Sequence, residues 1–332
     1  MDKERLSELF DRIKDLHVVV IGDVMLDCYW WGDVERISPE SPVPVVALKR
    51  RERRLGGAAN VALNCRTLGA KVSLASVVGE DMEAKQLEQL SQEAGINTEL
   101  LQFSKQRPTT TKTRVISRNQ QMMRLDEETC EDLTTEEEHP FIDRVLRYLQ
   151  IQKPQVVILE DYNKGVLKEN VIQRIIAHCR QLGIITTVDP KLKNFLAYKG
   201  VTLFKPNLKE VREGLKIGLD KVDAVSLDHV HQELKAKLDH EITFITLSEK
   251  GAYFNSGTAA VIPAHIRNIA DVSGAGDTVI AVASLVYTAS KDVGLMAEVA
   301  NIAGGLVCEE VGVVPIDKDR LLTECSMLLQ KI

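Results

Sequence analysis

Short apolar runs rich in β-branched residues recur along the chain, at HVVVIG (17–22), KVSLASVVG (71–79), QVVILE (155–160), GIITTVD (183–189), VTLFKPN (201–207) and ITFITL (242–247). Between them lie stretches with helical apolar spacing, over 57–68, 82–94, 135–149, 168–182 and 222–238. Strands and helices in alternation make βαβ units, so the expected fold class is α/β with a doubly wound, mostly parallel sheet. Two segments break the rhythm. Residues 30–49, WWGDVERISPESPVPVVALK, carry three prolines and two tryptophans, and residues 109–125, TTTKTRVISRNQQMMRL, alternate polar and apolar around an Arg118-Asn119 turn. Both are expected to be antiparallel additions to the main sheet that form a small β lid. No linker, composition shift or internal repeat divides the chain, which predicts one domain over 1–332.

The 332 residues are 44% hydrophobic, enough for one large α/β core. Lys plus Arg of 42 against Asp plus Glu of 48 gives a net charge of −6, which argues against a nucleic-acid partner while leaving room for a local basic pocket. The six cysteines form no C-x-x-C pair and read as reduced structural thiols. The amphipathic start, MDKERLSELFDRIKDL, lacks the apolar stretch of a signal peptide, and the later apolar runs fall short of the roughly 20 residues of a membrane span. A cytoplasmic protein with no membrane partner is the expectation.

Ligands of open α/β sheets collect at the carboxyl ends of the strands, so the residues after each apolar run are the first candidates. GDVMLD places Asp23 and Asp27 there, where a carboxylate accepts hydrogen bonds from sugar hydroxyls or caps a turn. RRLGGAANVALNCRTLGA (53–70) enters a helix through Gly56 and Gly57, which let backbone approach a ligand, and Asn60 offers a donor and an acceptor; a glycine-rich helix entry explains the same residues. EDYNKG (160–165) sets Lys164 beside two acids, as an anion contact or as a solvated loop lysine. In KPNLKEV (205–211), Asn207 and Glu210 stand three apart on a helix that starts after Pro206 and could reach a hydrated cation; a capping box gives the same spacing. Thr246, Ser248 and Gly251 in TLSEKGAY (246–253) offer hydroxyl and backbone contacts to a nucleotide phosphate, or form a hairpin turn.

DVSGAGDT (271–278) carries the most chemistry. Its small residues predict a tight turn onto the helix of the apolar run Val279 to Val286. The N–H groups of Gly274, Ala275, Gly276 and Asp277 would then form a cradle for developing negative charge at a helix N-terminus. Asp277 beside it is placed to take the proton of a hydroxyl that attacks phosphorus, and the helix dipole is expected to lower its pKa and keep it ionised. A plain glycine-rich helix start does not call for that carboxylate. The chain contains no G-x-x-x-x-G-K-[ST], G-x-S-x-G or H-E-x-x-H, and its seven histidines show no metal-ligand clustering.

GGAANVALNCRTLGA and DVSGAGDT, with KPNLKE and TLSEKG in order between them, resemble the two signatures of the ribokinase-like (PfkB) family of sugar kinases, over nearly the whole chain. The resemblance implies an ATP-dependent sugar kinase that uses Mg²⁺. Asp277 would be the catalytic base, with Gly274, Ala275 and Gly276 as the anion hole. Asn207 and Glu210 would hold Mg²⁺ through its water shell, and Thr246, Ser248, Gly251 and the helix NIAGG from Asn301 would line the ATP site. Asp23, Gly57, Asn60 and Glu160 would bind sugar hydroxyls, and Lys164 with Arg124 a substrate phosphate. Lids of this family often pair between subunits, which implies a homodimer.

GDVMLDCYWWGDVERISPESPVPV (22–45), MRLDEE (123–128), EDYNKGVL (160–167) and VDPKLKNF (188–195) are similar to the heptose-phosphate kinases of that family. This implies phosphorylation of D-glycero-D-manno-heptose 7-phosphate at O1, for the lipopolysaccharide core. The alternatives are another sugar kinase, acting on a fructose, tagatose or ribose derivative, or a non-catalytic nucleotide- or sugar-binding regulator. Such kinases are fused in some bacteria to a nucleotidyltransferase, and a chain ending at Ile332 is expected to be the stand-alone form. Ser273 lies in a stretch where Thr is common, and Glu160 stands where a small polar residue is expected.

Overall fold

Residues 3–329, apart from Asn119 and Asp220, are described by a computed structural model. The chain opens with α1 (Lys3–Lys14), β1 (His17–Gly22), β2 (Val24–Ile37), β3 (Pro44–Gly57), α2 (Ala58–Thr67), β4 (Lys71–Gly79), α3 (Met82–Glu93) and β5 (Asn97–Ser104). There follow β6 (Thr111–Ser117), β7 (Gln120–Glu127), α4 (Thr135–Gln152), β8 (Val156–Glu160), α5 (Glu169–Leu182), β9 (Ile185–Asp189), β10 (Leu203–Phe204), α6 (Leu208–Leu215) and α7 (Ala224–Leu238). The last elements are β11 (Ile242–Thr246), β12 (Ala252–Asn255), β13 (Ala259–Ile262), α8 (Ala275–Ser290), α9 (Val293–Val307) and α10 (Lys318–Leu328).

Nine strands form one sheet in the order β13-β12-β11-β10-β9-β8-β1-β4-β5, parallel from β11 to β5, with β12 and β13 antiparallel at one edge. The periodicity of its strands explains the layers. In β1, Val18 and Val20 enter one apolar core while Val19 and Ile21 enter another; in β8, Val156 and Ile158 divide from Val157 and Leu159 in the same way. A strand apolar on both faces needs helices on both sides. The first core is closed by α1, α2, α8, α9 and α10, and the second by α4, α5 and α7. Thus the amphipathic start is docked: Leu6, Leu9, Phe10 and Ile13 of α1 are buried in the first core.

All six apolar runs and all five helical stretches of the sequence occur as elements of the expected type. The run 201–207 gives only the two-residue β10, because Pro206 lacks the N–H that a longer ladder needs. Strands β5, β12 and β13 lack the apolar contrast of the inner strands and are not among the expected ones.

The lid departs from expectation. Segments 30–49 and 109–125 are not antiparallel additions to the main sheet; they belong to a separate four-stranded sheet, β3-β2-β6-β7, in which β2 and β6 run parallel. The reason is length: β2 and β3 each run 14 residues and rise out of the main body as a ribbon. Cross-strand pairs stiffen that ribbon, with the Arg51 and Arg50 guanidinium groups lying 5.1 and 5.0 Å from the ring centroids of Trp30 and Trp31. Its base is latched, since Tyr29 Oη accepts from the Val313 N–H at 3.1 Å and Arg54 Nη1 donates to the carbonyls of Val311 and Val313. Arg118 adopts positive φ at the turn into β7; its predicted partner Asn119 lies outside the described residues.

The junction of lid and body depends on Gly57, the N-cap of α2, which has φ of 58° and whose added Cβ would stand 2.4 Å from the Asp23 carbonyl oxygen. Gly57→Ala should therefore lower unfolding stability by about 1–3 kcal/mol, read as a lower urea midpoint at unchanged slope.

Candidate active site

Strand order reverses at β1, whose neighbours β8 and β4 lead away to opposite edges, and open α/β sheets bind ligands in the crevice outside the carboxyl ends at such a point. Here the chain leaves β1 through Asp23, whose N–H donates to the Glu160 carbonyl at 3.1 Å. Continuing the alternation of β8 and β9 past their apolar residues puts Glu160 and its register partner Asp189 on the α8 side of the sheet. The crevice therefore gathers acids by geometry alone.

Asp277 enters from the first turn of α8, 2% exposed. Its Oδ1 accepts from the Tyr162 hydroxyl at 2.6 Å and its Oδ2 from Asn60 Nδ2 at 2.8 Å. Asn60 is itself oriented by Asn64, whose Nδ2 donates to Asn60 Oδ1 at 3.2 Å. The expectation that the helix dipole keeps the Asp277 pKa low is corrected: burial raises it to about 6, against the lowering effect of the Tyr162 and Asn60 hydrogen bonds. A carboxyl poised there can exchange a proton near neutrality. Asn60, expected at a sugar hydroxyl, directs its amide donor to Asp277.

Gly274 takes φ of 79° to start α8, and a Cβ on it would lie 3.0 Å from Asn60 Nδ2. Of the expected cradle amides, that of Ala275 donates to the Val272 carbonyl at 3.3 Å, so in this conformation it is turned to the chain. A Cβ on Gly276 would meet Asp189 Oδ2 at 3.4 Å and Lys205 Nζ at 4.0 Å, which places a buried ion pair against the cradle.

Asp23 is held by backbone: its carboxylate accepts from the N–H groups of Tyr162 (2.8 Å), Lys164 (3.0 Å) and Val166 (3.1 Å), and so straps loop 161–166 to β1. The capping alternative describes it. Glu160 is the opposite case. It is wholly buried with neither carboxylate oxygen hydrogen-bonded, and burial, then Asp189 and Asp277, push its pKa well above the usual range. Lys164 Nζ pairs with Glu128 at 2.6 Å beside a small cavity that it lines with Asp23, Arg107 and Thr129. Arg124, half exposed on the lid, pairs with Asp126 at 2.8 Å, and it reaches Lys164 only along the ion-pair chain Asp126, Lys112, Glu128. The structure does not bring Arg124 to the crevice.

A second group lies one strand-end further on. Asn207 and Glu210 form a capping box, with Asn207 Oδ1 accepting from the Glu210 N–H at 2.9 Å and Glu210 Oε2 from the Asn207 N–H at 2.8 Å. Thr246 bridges to Asn207, and Ser248 and Gly251 make the turn between β11 and β12, as the hairpin alternative has it. Asn301 of α9 donates from Nδ2 to the Pro263 carbonyl at 3.0 Å. Hard oxygen donors suit Mg²⁺ in outer-sphere contact, and the orphaned Asp189 Oδ1 adds negative charge nearby, so the residues fit the ion. Among the described residues no group of three or more His, Cys, Asp and Glu is spaced to cage it directly.

Sequence reasoning passed over Tyr162, Asp189, Lys191 and Lys205, although all four stand in the quoted motifs, Asp189 as the last residue of β9 and the others just beyond β8, β9 and β10. Lys191 joins the two groups: its Nζ is 2.8 Å from Glu210 Oε1 and 5.2 Å from the centroid of the Tyr162 ring. Strand-end position was the available signal. The burial of Asp189 and Lys205, which makes them electrostatically potent, leaves no trace in the sequence.

Comparison with solved structures identifies the class of fold. Phosphofructokinase-2 from Escherichia coli, solved with potassium, superposes with a TM-score of 0.77 at 16% identity, covering 95% of this chain and 99% of that one. A ribokinase from Arabidopsis thaliana, solved with ribose and ATP, gives 0.69 at 15%, covering 93% and 99%. The fold is ribokinase-like. The profile of the pfkB family carbohydrate kinases matches residues 15–319, so the chain belongs to that family and is an ATP-dependent sugar kinase. Among curated relatives, the bifunctional protein HldE of Syntrophotalea carbinolica is 38% identical over 323 residues, 97% of this chain and 65% of the relative. That of Methylobacillus flagellatus is 41% identical over 308 residues, 92% and 62%. The chain thus spans less than two thirds of the length of these relatives.

Because Tyr162 stabilises the ionised form of Asp277, Tyr162→Phe should move the Asp277 titration upward from about 6, as followed by carboxyl ¹³C chemical shift; an unmoved midpoint would contradict the hydrogen bond's assigned effect.

Proposed function

We propose that the chain phosphorylates D-glycero-D-manno-heptose 7-phosphate at O1. The observation that carries the reading is the buried Asp277 carboxyl, oriented by Tyr162 and Asn60 at the first turn of α8 and facing the crevice at the strand-order reversal. The heptose substrate is supported by the motifs similar to heptose-phosphate kinases and by the likeness to HldE proteins over most of this chain.

In this reading Asp277 is the base. It takes the proton of the attacking hydroxyl while that oxygen bonds to the γ-phosphorus, the bond from phosphorus to the bridging oxygen breaks, and its electron pair leaves with ADP. Gly274, Ala275 and Gly276 hold the transferring group through their N–H groups, Ala275 exchanging the Val272 carbonyl for a phosphoryl oxygen. Bound Mg²⁺, held through water by Asn207 and Glu210, would neutralise phosphate charge. Thr246, Ser248, Gly251 and Asn301 line the nucleotide side. Gly57 and Glu160 face the sugar, Glu160 as a neutral acid able to donate to a hydroxyl; Asp23 shapes the pocket through its strapped loop. Lys164 is the favoured contact for the distal phosphate, with Arg124 able to join only on lid movement.

The lid segments 30–49 and 109–125 belong to the same kinase unit in this proposal and pair it as a homodimer. Ile37, Val43, Leu48, Met122, Met123 and Leu125 of the lid are exposed apolar residues, more than a solvated ribbon needs. A reducing, cytoplasmic setting agrees with six free cysteines, and no helix among the described residues is long and apolar enough to cross a membrane.

Release of ADP from Mg·ATP, measured against the heptose 7-phosphate, ribose, fructose 6-phosphate and a tagatose phosphate, tests the substrate; preference for any other sugar replaces the heptose assignment. Asp277→Asn should lower kcat by about 10³-fold or more while nucleotide still binds, and near-normal turnover would remove Asp277 from the mechanism. For the wild type, kcat/KM should fall as pH drops below about 6, because the base is then protonated.

A further inference from the structure

The motif VDPKLKNF supplies Asp189 and Lys191, and KPNLKE supplies Lys205 and Glu210, yet of these the proposed transfer uses only Glu210. The four side chains meet. Lys205 Nζ lies 2.9 Å from Asp189 Oδ2 and is 2% exposed, so it is a fixed charge beneath Gly276. Lys191 approaches from the other side, 2.8 Å from Glu210 Oε1 and 3.6 Å from Asp189 Oδ1, with its side chain 26% exposed. It alone of the two has room to move.

Its present partner is also the residue best placed for another cation. Glu210 Oε2 accepts from the Asn207 N–H, and Oε1 is occupied by Lys191. That oxygen would also serve a hydrated cation arriving with a nucleotide, and the ammonium would then give it up. Once displaced, the ammonium has a second anion within reach of its four-carbon stem, because Asp189 Oδ2, the far oxygen of the carboxylate it already touches, stands against the Gly276 cradle. A purely structural ion pair would fasten the segment after β9 to α6; it would not lie over the Tyr162 ring whose hydroxyl holds Asp277.

We propose that Lys191 is a catalytic cation of the phosphoryl transfer, stored on Glu210 until a nucleoside triphosphate binds and then donating to its γ-phosphoryl oxygens, with Lys205 held by Asp189 as the fixed counterpart. The step is a change of hydrogen-bond acceptor; no covalent bond is made or broken on the lysine. It rests on the assignment of Asp277 and its cradle as the site of transfer.

The contact reads out as discrimination between ATP and ADP. Both dissociation constants are measured by equilibrium dialysis in Mg²⁺ with no sugar acceptor present, for the wild type and Lys191→Met, together with kcat in Mg²⁺. In Lys191→Met the ADP constant should stay within about twofold, the ATP constant should rise about tenfold and kcat should fall by about 10²-fold; Lys191→Arg should recover part of the ATP affinity. Equal weakening of both nucleotides, or an unchanged ATP constant, overturns the proposal. Reductive methylation of the wild type with mass-spectrometric readout removes any dependence on the variant's folding: ATP, and not ADP, should alter labelling of Lys191, and identical labelling with both overturns the idea. If instead Lys191→Met loses ATP preference while Asp277→Asn keeps near-normal turnover, the Asp277 reading fails and the lysine contact stands.

Discussion

The interaction on which the site depends is the burial of carboxyl groups at one sheet edge. Asp23, Glu160, Asp161, Asp189 and Asp277 are all nearly or wholly removed from water at the ends of β1, β8 and β9 and at the start of α8. An isolated buried carboxylate is strongly disfavoured, so each must be hydrogen-bonded, ion-paired or protonated. The structure uses all three solutions side by side. Asp23 receives three backbone amides, Asp189 receives Lys205, Asp161 receives the Tyr198 hydroxyl at 2.7 Å, and Glu160 receives nothing and is driven toward its neutral form. Asp277 stands between these cases, with two neutral donors and no ammonium in direct contact. Its pKa of about 6 is the consequence, and proton transfer near neutrality needs a value in that range.

The same logic explains why loop 161–166 is ordered at the centre of the crevice. Asp23 holds its backbone, and Tyr162 then projects its hydroxyl to Asp277. One residue therefore links the strapped loop to the candidate base. Lys191 over the Tyr162 ring extends the link to Glu210, so the groups around Asp277 and around Asn207 are neighbours through side chains although α8 and α6 are far apart in sequence.

Periodicity made the main sheet legible: strands buried on both faces read as continuous apolar runs, and β1, β4, β8, β9 and β11 are of that kind. Edge strands such as β13 and β7 are mostly exposed and carry no such contrast. The lid's existence was legible from its prolines and alternation, but its separate sheet was not, because strand pairing between β2 and β6 is a long-range choice made by the ribbon's rise. In the site, Asp277, Gly274 and Gly276 were legible because glycine and carboxylate at a helix start have a local meaning. Asn60 was seen as polar and well placed, yet its partner, 217 positions away, was not. The pKa of Asp277 was misjudged because the dipole is a property of α8 alone, whereas burial depends on everything packed around it.

Glu160 sits inside such an environment, and the contacts around it fix the consequence. A small polar side chain at the end of β8 would leave Asp189 and Asp277 with one fewer neighbour of like charge. A glutamate there can be accommodated in two ways: ionised with a cation against it, or neutral. Lys205 and Lys191 are already engaged by Asp189 and Glu210, and both Glu160 oxygens are without hydrogen bonds. The neutral form is the one consistent with these contacts. It leaves a proton-bearing oxygen beside Asp277, a donor among acceptors, and a donor selects for ligand oxygens that accept. A neutral Glu160 thereby gives this crevice a hydrogen-bonding character that an ionised carboxylate cannot provide.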